Sequence, residues 1–381
     1  MKGFKNCKAY IEGEGIVTTC IGVENGKIAY IGNDDTNIES YADMDGKIVL
    51  PGFIDEHIHG AAGCDAMDGT AEALKQIAEA IASEGTTGFL ATTMTQSVEN
   101  IERAMFAVKE YRSVSRETGA ELLGVHLEGP FISPDYIGAQ PLEYVIKPDS
   151  DIFDRFNEAC GGCVKLITMA PEESGAEEFI KHAVKNGAVV SIGHSGAGYE
   201  TVCKAAEWGA SNITHTFNAQ KGVHHREIGV AGSALLLDSY NCEIICDTIH
   251  VSVPAIKLVI KNKPHDKVTL ITDAMRAKHM PDGVSELGGQ TVYVKNGEAR
   301  LANGALAGSV LKMNVAIKNL VNNGVSFTDA VDFATINPAK NLKIFDKKGS
   351  IKIGKDADFA VVDDEMNVAL TVRGGNVIYR G

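Results

Sequence analysis

Pro51-Gly-Phe-Ile-Asp-Glu-His-Ile-His-Gly60 is where the pattern of the chain changes. Upstream, residues 1–50 read as short strands with turns. Ile21-Gly-Val-Glu-Asn-Gly-Lys-Ile-Ala-Tyr-Ile31 is a hairpin, because Asn25-Gly26 can supply the positive φ angles of a type I′ turn. Downstream, to about Asn341, strands alternate with helices. Candidate strands cover 53–58, 87–94, 121–127, 164–169, 188–192, 212–216, 242–247 and 268–272. Helical apolar spacing marks 71–83, 98–118, 176–186 and 199–208 among the stretches between them. Eight strands in this alternation predict an α/β fold, a parallel (β/α)8 TIM-like barrel. A doubly wound open sheet is the alternative, but no Gly-rich nucleotide fingerprint follows the first strand. Near the C-terminus, 351–354, 358–362 and 376–379 again read as strands. The two chain ends therefore predict one small β-sandwich domain, residues 1–50 with 345–381, beside a catalytic barrel of residues 51–344. Residues 289–304, with Asn-Gly pairs at 296–297 and 303–304, predict a β insertion near the barrel mouth.

Composition narrows the function. The 381 residues are 44% hydrophobic and 23% charged, the balance of a soluble globular protein. No apolar run approaches the roughly 20 residues needed to span a bilayer, and Met1-Lys-Gly-Phe-Lys5 lacks the apolar core of a signal peptide. Eight scattered cysteines fit reduced thiols in the cytoplasm. Cys160-Gly-Gly-Cys163 has no second such pair and reads as loop thiols. A net charge of −14 counts against nucleic acid as a partner. A small anionic substrate needs only a local cationic cluster, and Lys221, His224, His225 and Arg226 form one in the sequence.

In a barrel enzyme the chemistry stands at the C-terminal ends of the strands. Here those ends read His57-Ile-His59, His126-Leu-Glu128, Gly193-His-Ser195, Thr214-His-Thr216 and Thr272-Asp-Ala274. Each motif alone has an ordinary explanation: an incidental HxH, a strand-end ion pair at Glu128, a core histidine at His194, a cap at Asp273. Five together predict a metal centre, since burying so many polar groups without an ion is costly. Imidazoles and carboxylates without thiolate suit zinc first, with iron, manganese or cobalt as alternatives. There are ligands enough for one or two divalent ions, with Glu128 placed to bridge them. Asp273 then reads as the general base.

These motifs, with Met169-Ala-Pro-Glu172, Thr214-His-Thr-Phe-Asn-Ala219 and Leu306-Ala-Gly-Ser309, resemble the N-acetylglucosamine-6-phosphate deacetylases of the amidohydrolase superfamily. They run in family order over nearly the whole chain, and His126-Leu-Glu-Gly-Pro-Phe131 is the most specific. The resemblance implies that Glu128, His194 and His215 bind metal, that Asp273 is the catalytic acid/base, and that His57 and His59 belong to members with two ions. It also implies a sugar site lined by Ala139, Asn218, Ala219, Leu306, Ala307 and Gly308. Arg226 and His250 would hold a 6-phosphate, and the chain would form a homodimer.

The chain departs from the pattern on the sugar side: Gln140 stands where the family often has His, and Gln220, Gly222–Gly229 and Thr248 differ too. Gln140, a neutral amide donor, is expected to assist the acetyl oxyanion. His126 is expected to support a ligand, and His224 and His225 either decorate a loop or join Arg226. The implied reaction turns N-acetylglucosamine 6-phosphate into the amino sugar phosphate and acetate. Alternatives are the N-acetylgalactosamine 6-phosphate epimer, a deaminase or cyclic amidase, and a non-catalytic metal-binding scaffold. Cyclic amidases generally bridge their ions through a modified Lys, whereas Lys165 lies at the start of a strand.

Overall fold

A computed structural model describes residues 1–114 and 117–381. The barrel strands are β1 (Phe53–Ile58), β2 (Thr86–Thr92), β3 (Glu121–Glu128), β4 (Val164–Met169), β5 (Val189–Ile192), β6 (Asn212–Ile213), β7 (Asn241–Ile245) and β8 (Val268–Ile271). They form one eight-stranded sheet in sequence order, parallel throughout. A helix follows every strand, from Ala71–Ala82 after β1 to Met313–Asn322 after β8. The seam between β8 and β1 closes in two parts. At its upper end Asp273 N donates to His57 O at 2.8 Å and His59 N to Ala274 O at 2.9 Å. Lower down, Phe333 O and Ala334 O accept from Leu270 N and Ile54 N, so a loop backbone completes the ladder.

The barrel interior is layered. Ile54, Leu90, Leu166 and Val189 make an apolar floor, plugged by Ala339 and Leu342. Above it lie hydroxyls and imidazoles. His126 Nε2 meets Thr168 Oγ1 at 2.7 Å, and Thr168 Oγ1 meets Thr214 Oγ1 at 2.7 Å. Thr168 is on β4 and Thr214 follows β6, which are not neighbours, so this bond crosses the lumen. The uppermost layer holds the strand-end motifs.

The chain ends build one further sheet of eight strands, running from Lys2–Ile11 to Asn376–Arg380. Its side chains alternate between two cores, as the two-residue period of a strand requires. Phe359 and Val361 join Phe4, Ile21 and Val49 in the sheet's own core. Ala360 and Val362, with Tyr10 and Leu50, pack into the barrel's core. The expected I′ hairpin is present, with φ of 51° at Asn25 and 76° at Gly26.

Several boundaries differ from expectation. The run at 351–354 is a turn in which only Ile351 bridges Ile11, while Val368–Arg373 forms a strand that the sequence reading passed over. The helix at 98–118 stops at Ser113, and residues 115–116 of that span lie outside the described residues. β6 has only two residues, because the chain turns sharply at His215. The insertion begins earlier, at Gly283, and has three antiparallel strands.

One ion cluster ties the terminal sheet to the barrel. Lys348 Nζ lies 2.7 Å from Asp358 and 2.8 Å from Glu121 of β3. Lys348→Met leaves Asp358 buried without its cation, which should lower stability by about 3–5 kcal/mol. Denaturant unfolding checks this, and a loss under about 1 kcal/mol contradicts it.

Candidate active site

His57 stands on β1 and His59 just past it, Glu128 ends β3, and His194, His215 and Asp273 follow β5, β6 and β8. The last three are all in the left-handed region, at φ of 49°, 28° and 47°. Non-glycine residues adopt this conformation at a cost, and such strain collects at functional sites. Backbone bonds hold it here. Ser133 N donates to His194 O, Asn218 N to His215 O, and Ser309 N to Asp273 O, all within 2.8–2.9 Å.

The hydrogen bonds fix which imidazole nitrogen faces the site. His57 Nδ1 lies 3.0 Å from Glu243 Oε2, His59 Nδ1 3.2 Å from Thr92 O, and His194 Nδ1 3.0 Å from Tyr136 O. A carbonyl can only accept, and the Glu243 oxygen facing His57 also accepts from His215 N, so each Nδ1 carries the hydrogen and each Nε2 presents a lone pair. Those lone pairs face other acceptors. Glu128 Oε1 is 3.2 Å from His194 Nε2 and 3.1 Å from His215 Nε2, and the two nitrogens are 3.2 Å apart. Donor atoms around a tetrahedral ion with bonds of 2.0–2.1 Å lie about 3.3 Å from one another, so this triangle has the dimensions of an ion's ligand set.

A second set adjoins the first. Asp273 Oδ1 is 3.5 Å from His57 Nε2 and 3.2 Å from His59 Nε2. Glu128 reaches the same nitrogens, Oε1 at 3.5 Å from His57 and Oε2 at 3.2 Å from His59. His57 Nε2 is buried and has no hydrogen-bond partner among the described residues. Acceptors facing acceptors in a dry site repel unless positive charge lies between them, and a divalent cation satisfies both sets.

The titration behaviour has the same origin. Burial opposes charge on Glu128 and Asp273, yet His57 and the neighbouring imidazoles hold Glu128 well below the usual carboxylate range and Asp273 below it. Burial also opposes charge on His59, but a proton standing in for the cation at its Nε2 would be shared with Asp273 and Glu128, and these hydrogen bonds carry it well above the usual imidazole value.

His126 is not a ligand. Its Nδ1 bonds Glu56 O at 3.2 Å and its Nε2 bonds Thr168, so both nitrogens are committed, and burial pushes it well below its usual value into the neutral form. Its ring lies edge-on to His57, 4.4 Å between centroids, and so packs behind a candidate ligand as expected. Gln140 differs from expectation. Its amide nitrogen donates to Glu128 Oε2 at 2.8 Å, and its carbonyl accepts from Thr95 N at 2.8 Å. The side chain that was expected to face an acetyl oxygen instead clamps the central carboxylate, although it still borders the cavity.

That cavity, about 230 Å3, opens above the two sets. Ala139, Asn218, Ala219, His250, Leu306 and Gly308 line it as expected. His250 is braced by Asp247, whose Oδ2 lies 2.6 Å from its Nδ1. Met94, Gly138 and Leu287 also line the cavity and carried no signal in the sequence; Leu287 comes from the β insertion. Two expected residues lie elsewhere. Ala307 is fully buried beneath the insertion among Met275, Leu287 and Val292. Arg226 is on an exposed loop with its Nη1 against His225 Nε2, outside this chain's cavity.

A model of the amidohydrolase family matches residues 48–378. The chain belongs to the amidohydrolase family. Members of this family use a divalent metal, in accord with the His and Glu groups here. Within the family the chain is 41% identical over 384 residues to an N-acetylglucosamine-6-phosphate deacetylase of Bacillus subtilis, covering 98% of this chain and 96% of that one. It is 34% identical to an N-acetylgalactosamine-6-phosphate deacetylase of Escherichia coli O157:H7, covering 86% and 87%. Among solved structures, the Thermotoga maritima N-acetylglucosamine-6-phosphate deacetylase superposes over the whole of both chains with a TM-score of 0.91 at 34% identity. A Mycobacterium smegmatis mutant of that enzyme, in complex with N-acetyl-D-glucosamine-6-phosphate, gives 0.90 at 26% identity over 99% and 98%.

An ion that binds only the folded chain stabilises it by about 4 kcal/mol at a thousandfold excess over Kd. Chelator-stripped amidohydrolase should therefore melt at a lower temperature than the loaded protein and recover when divalent ion is restored. Identical melting curves would contradict the ligand sets.

Proposed function

We propose that the protein hydrolyses the acetamide of N-acetylglucosamine 6-phosphate, releasing acetate and the amino sugar phosphate. The observation that carries this reading is the placement of Asp273. Its carboxylate borders the cavity while touching both His57 and His59, so one group stands at the boundary between the ligand sets and the substrate space.

In this reading Glu128, His194 and His215 would hold one ion, and His57, His59 and Asp273 would hold a second beside it. Zinc is the first choice, with iron, manganese or cobalt as alternatives. A divalent ion there supplies an acidified water and polarisation of the acetyl oxygen. The chain does the rest. Asp273 is ionised at neutral pH, so a carboxylate oxygen can take the water's proton. The same oxygen then returns the proton to the departing amine nitrogen, since an amide cannot leave as a free anion. Gln140 keeps the Glu128 carboxylate in place and, with its second amide hydrogen, offers a donor at the cavity wall. Leu287 of the insertion lines the cavity and would shield the reacting carbonyl from bulk water on that side.

The phosphate needs a cation. His250 borders the cavity, and among the described residues no Lys or Arg does. Arg226 of the partner subunit in a homodimer supplies the missing charge in this reading, as a planar fork suited to phosphate oxygens. We place the enzyme in the cytoplasm; among the described residues no helix is long and apolar enough to cross a membrane. The N-acetylgalactosamine 6-phosphate epimer is a second reading, favoured by the altered sugar side at Gln140 and Gln220 and by the E. coli relative.

Two substitutions test the chemistry. Asp273→Asn keeps an oxygen but loses the proton acceptor, so kcat should fall about 10²–10⁴-fold. A drop under tenfold with metal content unchanged would leave Asp273 as a ligand alone. Arg226→Ala should cost about 10–150-fold in kcat/KM on the phosphorylated sugar, the value of one charge-assisted hydrogen bond, and little on the unphosphorylated one. Equal losses on both would assign Arg226 to folding or assembly. Running the wild type on both epimers decides between the two sugar readings.

A further inference from the structure

We infer that Glu243 is a positioning residue of the metal centre: its carboxylate selects the tautomer of His57 and holds the backbone of His215, so it orders one member of each ligand set. The inference rests on the two-ion reading above and deepens it.

No motif marks this residue, because it lies in the middle of β7 and not at its end. Its side chain points into the lumen and is fully buried. Oε2 accepts from His57 Nδ1 at 3.0 Å and from His215 N at 3.2 Å. β7 pairs with β6 and β8, so the contact with β1 is made across the barrel interior. Its own carbonyl accepts from Thr216 N at 2.9 Å, which fixes the turn that carries His215 from both sides. Oε1 has no partner.

The physical consequence is directional. With its hydrogen on Nδ1, His57 donates to Glu243 and presents a lone pair at Nε2, towards Asp273 and Glu128. In the opposite tautomer the Nδ1 lone pair would face Oε2 at 3.0 Å, and a hydrogen would occupy the side where an ion must bind. A carboxylate behind a ligating imidazole both orients the ring and raises its basicity. His215 also profits, because its backbone N–H, at a left-handed φ of 28°, is held by this same oxygen.

The close grouping of His57, His126 and Glu243 is therefore a hydrogen-bonded scaffold and not a third ion site, since Glu56 and Thr168 occupy both nitrogens of His126.

The test is metal affinity, read by competition with a chromophoric chelator on wild type, Glu243→Leu, Glu243→Gln, His57→Asn and the Glu243→Leu/His57→Asn double variant. Glu243→Leu should weaken the more loosely held ion about 10–100-fold. Glu243→Gln keeps a carbonyl acceptor and should stay within a few-fold of wild type. If Glu243 acts through His57, the double variant should bind that ion no more weakly than His57→Asn alone. Nitrogen-15 NMR of histidine-labelled, metal-free wild type provides a readout that needs no variant: His57 should carry its hydrogen on Nδ1. A hydrogen on Nε2 overturns the inference, as do additive losses or a Glu243→Leu protein that binds both ions like wild type. A wild type that binds one ion regardless of His57 overturns the two-ion reading, and the inference falls with it.

Discussion

The interaction on which the rest depends is the meeting of unshared electron pairs around the carboxylate of Glu128. Four imidazole nitrogens, those of His57, His59, His194 and His215, point at oxygens that can only accept, and the rings of His57, His59 and His194 have their Nδ1 hydrogens committed elsewhere. In a buried site such an assembly is unstable by several kcal/mol unless a cation neutralises it. The fold must hold these groups together before the ion arrives, and much of the surrounding structure serves that end. The left-handed backbone at His194, His215 and Asp273 aims each side chain inward. Bonds from Tyr136, Thr92 and Glu243 orient the rings from behind, and Gln140 ties Glu128 to the backbone of Thr95.

That rigidity comes from layering. The apolar floor of Ile54, Leu90, Leu166 and Val189 packs with Ala339 and Leu342 into one buried cluster beneath the candidate ligands. The hydroxyl layer above it meets the hydrogen-bonding needs of His126 without adding charge. The terminal sheet buries both faces, one in its own core and one against the barrel helices. It buttresses the catalytic unit without contributing any residue to the cavity lining.

Much of this was legible in the sequence. Barrel strands are short and buried on both sides, so β1 and β4 could be bounded to the residue, and the polar residues that interrupt their C-terminal ends were conspicuous. The same logic explains what was missed. Glu243 lies mid-strand, where an acidic residue carries no local pattern, and only the pairing of β7 across the lumen gives it meaning. Met94 and Leu287 carry no local pattern of a site, and they gain meaning only once the insertion folds beside the cavity. Gln140 was found through its departure from a family motif, but its partner could not be read, since Glu128 and Thr95 are distant in sequence. Arg226 stands on an exposed loop that a single chain does not bring to the cavity.

The most direct measurement is anomalous diffraction from crystals of protein purified without chelator, recorded on either side of the absorption edge of the metal found in it. Two peaks are expected, one within reach of Glu128, His194 and His215 and one within reach of His57, His59 and Asp273, with Glu128 near both. An anomalous map without a peak at either position, with ordinary water density among the imidazoles, would contradict the claim that a cation resolves the opposed lone pairs.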